Sequence, residues 1–187
     1  MEPVKYPLVI DLEATCDERH AIPREETEII EIGAVLLDEA LRPIEEWQTF
    51  VRPQQHPLLT KFCMELTSIQ QSDVDGAPTF PEAIAALGRF IAGRNVLFCS
   101  WGDYDRVQFG RDAQRHGVAL PLGQDHLNVK IAFSKALGQR RRMGVGQAIA
   151  RLGLAFEGTA HRGIDDARNI ARLLPYALGR VPFPALG

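Results

Sequence analysis

The 187-residue chain carries 21 Lys and Arg against 24 Asp and Glu, a formal charge of −3, and 45% of its residues are hydrophobic. That length and balance suit one globular domain whose core needs neither disulfides nor a structural metal, and they exclude collagenous, disordered and disulfide-scaffold classes. The acidic balance also counts against a protein that coats nucleic acid through a basic field, because sequence-independent affinity comes mostly from Lys and Arg neutralising phosphates; it leaves open an enzyme that grips one strand end.

Residues 1–5 lack the charged-then-apolar pattern of a signal peptide, and no apolar run approaches the ~18 residues of a membrane helix. Residues 8–13 predict a short buried strand that acquires the carboxylates Asp11 and Glu13 near its end. Residues 29–37 and 47–51 predict two more strands, and the polar stretch through Asp38-Glu39 and Arg42-Pro43 suits a reversal between them, giving an antiparallel meander. After Pro53 the spacing turns helical over 58–64 and 80–91, the second with Pro81 in its first turn and Gly93 just past its end. Residues 95–100 predict a fourth strand, 105–116 a helix stopped by Gly117, and 126–129 a weaker strand. Helices over 131–137, 145–152 and 165–178 fill the last third, ahead of an extended tail at 181–184. A meander followed by β-α-β alternation predicts a mixed α/β sheet with helices on both faces. Without a repeat or a linker, residues 1–187 read as one domain. Cys16, Cys63 and Cys99 are scattered without a CxxC pair and read as reduced thiols of a cytoplasmic protein.

Asp11 and Glu13, two apart on a strand, leave the same face about 6 to 7 Å apart at their Cα atoms. Two anions so close repel unless a cation lies between them, and hard divalent ions prefer carboxylate oxygens; a solvated strand end is the plainer reading of Asp-x-Glu by itself. Other acids shift that balance. Asp105 follows the fourth strand, where ligands of open α/β sheets collect, and shares a helical stripe with Phe109 and Ala113. Asp103 suits a helix cap. Asp165 lines up with Arg168, Asn169 and Arg172 on a solvated face, whereas Asp166 lines up with Ile170 and Leu173 and points inward. An inward acid must be paired, hydrogen-bonded or bound to metal. His161 lies five residues before Asp166 in a loop, and an imidazole suits a general base that activates water. His20, His56, His116 and His126 lack such company and read as structural or solvated.

Three segments, residues 10–16, 102–105 and 161–166, closely resemble the exonuclease motifs of the DEDDh 3′-5′ exonuclease superfamily. Residues 62–70 and Thr79-Phe80-Pro81 are similar to its branch that includes the eukaryotic histone-mRNA 3′ exonuclease and small bacterial relatives. The resemblance runs from about Val9 to Leu174 and implies a ribonuclease-H-like fold with a five-stranded mixed sheet, its motifs spread over about residues 8–178. It implies a two-metal hydrolysis with Mg²⁺ or Mn²⁺ that releases nucleoside 5′-monophosphates from single-stranded 3′ ends, RNA favoured over DNA. Asp11 would bridge both ions, Glu13 and Asp166 would hold the ion that binds the attacking water, Asp105 would support the second, and His161 would take the proton. Tyr104, Phe62 and Trp101 are candidate stacking surfaces for the terminal base, and Ala14 and Thr15 candidate ribose contacts. Arg141, within Arg140-Arg141-Arg142, is a candidate contact for the phosphates of the incoming strand.

Two other readings compete. A haloacid-dehalogenase-type phosphatase also opens on a strand-borne Asp, but its second acid is normally Asp, and Glu13 with the His161/Asp166 pair fits it poorly. A catalytically silent binding module on the same fold usually loses a ligand, and here all five positions are filled.

Overall fold

The computed structural model describes residues 5–19 and 21–185, so the readings made on residues 1–4 and on His20 lie outside the described residues. Strands β1 (Tyr6–Ala14), β2 (Ile29–Leu37) and β3 (Pro43–Phe50) form the expected antiparallel meander. Helices α1 (Lys61–Thr67), α2 (Gln71–Asp75) and α3 (Phe80–Ile91) then lead to β4 (Val96–Ser100), which lies parallel to β1. Helix α4 (Tyr104–His116), strand β5 (His126–Asn128) and helices α5 (Val129–Ala136), α6 (Val145–Arg151) and α7 (Gly163–Ala177) complete the chain. The sheet has five strands in the order β3-β2-β1-β4-β5, mixed as the pattern predicts.

Alternation along β1 sorts the two cores. Leu8, Ile10 and Leu12 face Phe80 and Leu87 of α3 and Phe109 of α4, while Val9 faces Phe133 of α5, Ile149 of α6 and Ile170 and Leu174 of α7. Period two then assigns Asp11 and Glu13 to the side of Val9, under the N-terminus of α7. Gly33 on β2 pairs with Asp11, and a Cβ there would lie 2.2 Å from the backbone of Gly163. The missing side chain lets the first turn of α7 settle on the sheet.

Several boundaries depart from the sequence reading for local reasons. Thr60 caps α1 by accepting the Cys63 N–H at 3.0 Å, so that helix starts at Lys61 rather than at 58. The five-residue α2, held by a reciprocal cap between Gln70 and Asp73, was not predicted. β3 begins four residues earlier than expected because its first half is an exposed sheet edge, where Glu45 and Glu46 replace the apolar alternation. Asn128 ends β5 and caps α5 through Ile131 N at 3.0 Å. Asp103 occupies the cap position of α4 without a capping bond; its carboxylate instead accepts from Asn128 Nδ2 at 3.1 Å. Asn169 is buried rather than solvated, bonding the carbonyls of Glu157 and Asp165, each at 2.8 Å. The three cysteines are free thiols, and among the described residues no helix is long and apolar enough to cross a membrane.

Candidate active site

Three elements converge at the carboxyl end of β1. The strand carries Asp11 and Glu13, the first turn of α7 brings Asp166, and the start of α4 brings Asp105. Oxygens of Asp11, Glu13 and Asp166 lie within 4.8 Å of one another. Asp105 stands just outside that cluster, almost wholly buried, with Oδ1 accepting the backbone N–H of Leu12 at 3.0 Å. His161 has a left-handed backbone, φ 62°, and its N–H donates to Asp166 Oδ2 at 2.7 Å. The resulting cleft of about 860 Å³ is lined by Asp11, Glu13, Asp105, His161 and Asp166 together with Ala14, Trp101 and Tyr104.

The electrostatics are those of anions without a counter-charge. Burial, and then repulsion from Asp105, Asp166, Glu13 and Glu31, holds the Asp11 carboxyl well above its usual range. Burial and the same acidic surroundings push Glu13 up to about 8, and burial pushes Asp105 up to about 6 against the Leu12 N–H that lowers it. Asp166 is likewise raised by burial, with the His161 N–H opposing the shift. Among the described residues, none of these four carboxylates forms an ion pair with Lys or Arg. Grouped carboxylates that repel one another and offer only oxygen donors fit a hard divalent cation, which would restore their ionised state.

The remaining predicted residues are placed less uniformly. Tyr104 is partly exposed over the cleft; Trp101 borders it but also packs on Phe133 and donates from its indole to Met143 O at 3.0 Å. Phe62 lies in a neighbouring cavity that shares only Cys16 with the cleft. Thr15 is buried, its hydroxyl accepting from Glu28 N at 2.9 Å, so it turns no hydroxyl toward the cleft. Arg141 borders a separate hollow with Gln139, Met143, Gln147 and Arg151. His56 sits 3.1 Å from Glu26 and His116 stacks on Phe80.

Three participants escaped the sequence reading. Ser100 donates to Gly102 O at 2.9 Å, stands 2.8 Å from His126 Nε2 and lowers the Asp105 carboxyl against its burial, so that histidine backs the turn leading to Asp105. Leu66 reaches the cleft from α1. Glu31 of β2 is fully buried opposite Glu13; its only sequence signal was a carboxylate inside an apolar run.

A ribonuclease-H-like sheet with four carboxylates and a histidine at the end of its first strand defines a DEDDh nuclease, a metal-dependent 3′-5′ exonuclease. A family model described as exonuclease matches residues 8–174, and the chain belongs to that family. It is 32% identical over 195 residues to the 3′-5′ exonuclease Snipper of Drosophila melanogaster, covering 93% of this chain and 69% of that protein. It is 34% identical over 180 residues to ERI1 exoribonuclease 3 of Mus musculus, covering 90% of this chain but 52% of the relative. Among solved structures, the nuclease domain of 3′hExo, a DEDDh family member bound to rAMP, superposes with a TM-score of 0.86 at 28% identity over 94% of this chain and 92% of that one.

Proposed function

We propose that the protein, with residues 1–187 acting as one exonuclease domain, removes nucleotides one at a time from the 3′ ends of single strands, RNA favoured over DNA, and releases nucleoside 5′-monophosphates. The observation that carries this reading is the cluster of Asp11, Glu13 and Asp166, within 4.8 Å of one another, beside His161 in one cleft. RNA is favoured because a relative is named an exoribonuclease and a 26% identical structure is described as recognising a histone mRNA stem-loop at its 3′ end.

Asp11, Glu13, Asp105 and Asp166 would hold two divalent ions, Mg²⁺ or Mn²⁺. Bound there, the ions supply Lewis-acid activation of water and charge stabilisation at phosphorus. The His161 ring takes the proton of the attacking water, while its backbone N–H keeps the Asp166 carboxylate turned into the cleft. Tyr104 and Trp101 border the space for the terminal base, and Phe62 borders the adjoining cavity. Ala14, which lines the cleft, would meet the terminal ribose, and Thr15, its hydroxyl held by Glu28 N, would contribute only backbone. Arg141, at its separate hollow, would meet phosphates further along the strand.

The test uses RNA and DNA oligonucleotides of identical sequence, labelled at the 5′ end, with Mg²⁺ or Mn²⁺. Stepwise shortening from the 3′ end with release of 5′-monophosphates, faster on RNA, is expected. Release of inorganic phosphate alone, or strand binding without cleavage, would overturn the reading.

A further inference from the structure

Glu31 is a fifth carboxylate on the same face of the sheet as Asp11 and Glu13, yet its oxygens are already engaged. Oε2 accepts from Arg162 Nε at 3.1 Å and from the Gly163 backbone N–H at 3.0 Å; Oε1 accepts from a second Arg162 nitrogen at 3.3 Å and from Gln48 Nε2 at 3.2 Å. The Arg162 guanidinium also lies 5.3 Å from the centre of the Phe50 ring. A carboxylate occupied by a two-pronged guanidinium and a backbone amide has little left to offer an ion, so its contribution lies in what it holds.

What it holds is the junction between the two groups that the reaction reading needs. Arg162 and Gly163 directly follow His161, and the Arg162 carbonyl accepts the Asp166 N–H at 2.9 Å to open α7. His161 has a positive φ that a non-glycine residue keeps only when its surroundings impose it. The contacts that flank it are the His161 N–H to Asp166 on one side and the Glu31 grip on Arg162 and Gly163 on the other.

We propose that Glu31 and Arg162 form a clasp between β2 and the start of α7 that sets the positions of the His161 ring and the Asp166 carboxylate, so that Glu31 and Arg162 are positioning residues for the hydrolysis. The clasp rests on the reading of His161 as proton acceptor. Because Glu31 is in the core and its replacement risks the fold, the informative variants are at Arg162, whose side chain is partly exposed.

Arg162→Ala should lower kcat about 10- to 100-fold with KM within about twofold, since a reacting group displaced by about an ångström costs turnover rather than binding. Amide hydrogen exchange over residues 158–164 of the metal-free protein should speed up while β1 and β2 keep their protection. Arg162→Lys, which keeps the charge but not the fork, should restore part of the turnover. Wild-type kcat in Arg162→Ala, or a loss of activity that only follows the folded fraction by circular dichroism, would overturn the clasp. His161→Ala assayed alongside separates the two layers. An inactive His161→Ala with a fully active Arg162→Ala removes the clasp alone, whereas an active His161→Ala removes the proton-acceptor reading and the clasp with it.

Discussion

His161 meets its neighbours in two chemically separate ways: the backbone N–H fixes Asp166, and the imidazole is left for the substrate side of the cleft. His161→Ala therefore deletes the proposed proton acceptor but keeps the 2.7 Å bond to Asp166. Turnover should fall by about 10²- to 10⁴-fold, while divalent-ion affinity, measured by titration calorimetry, should stay within about twofold of wild type; unchanged turnover would refute the role. At this scale the sequence was informative where spacing controls direction. Asp11 and Glu13 share a face because they are two apart on a strand, and Asp166 was separated from Asp165 by the apolar stripe it joins. It was uninformative where a polar residue is satisfied by a distant partner. Thr15 bonds Glu28, Asn169 bonds the 157 carbonyl, and Glu31 bonds a loop 131 residues away.

The joint between β2 and α7 is the element-scale feature on which the site depends. Gly33 and Gly163 face each other so closely that a Cβ on Gly33 would sit 2.2 Å from Gly163 C and Ile164 N. Those are backbone atoms, which cannot rotate aside. Gly33→Ala should therefore push the α7 N-terminus off the sheet, at a stability cost of about 1–3 kcal/mol or more, read as a lowered urea midpoint. The same displacement should reduce turnover per folded molecule, because His161 and Asp166 ride on the displaced turn; a variant with native stability and rate would show that the joint is not tight. The helices α3 and α7 were legible because each buries a periodic stripe, and β2 because it is one unbroken buried apolar run; α3 matches its predicted span of 80–91. The pieces that were missed or shifted, α1, α2 and the first half of β3, owe their limits to side-chain caps and to a solvated edge, which leave little hydrophobic pattern. In the same way a glycine within an apolar strand signals a close approach but not the helix that makes it.

For the molecule as a whole, a charge of −3 and a polyanionic substrate are reconciled by where the charge sits. Two divalent ions in the carboxylate cluster would bring the formal balance to about +1 and reverse the local field where phosphate must approach. The other basic feature is the exposed run Arg140-Arg141-Arg142. Replacing all three with Gln should weaken strand binding and flatten its dependence on salt, by close to one unit of log–log slope per lost phosphate contact; an unchanged slope would remove the run from the strand path. The carboxylates make a second prediction, about stability. In the metal-free protein Glu13 titrates near 8 and Asp105 near 6, against ordinary values of 4.5 and 3.8. Over that interval the folded state binds more protons than the unfolded one, so the contribution of these groups is fully present at low pH and is lost as pH rises toward 8. A divalent ion needs the ionised carboxylates, so its binding expels the same protons and its stabilisation grows with pH. With chelator present the melting temperature should fall between pH 5 and 8, and Glu13→Gln should reduce that fall. Adding Mg²⁺ or Mn²⁺ should raise the melting temperature far more at pH 8 than at pH 5, with measurable proton release. An ion-induced shift of equal size at both pH values would show that the cluster is already ionised without its cation.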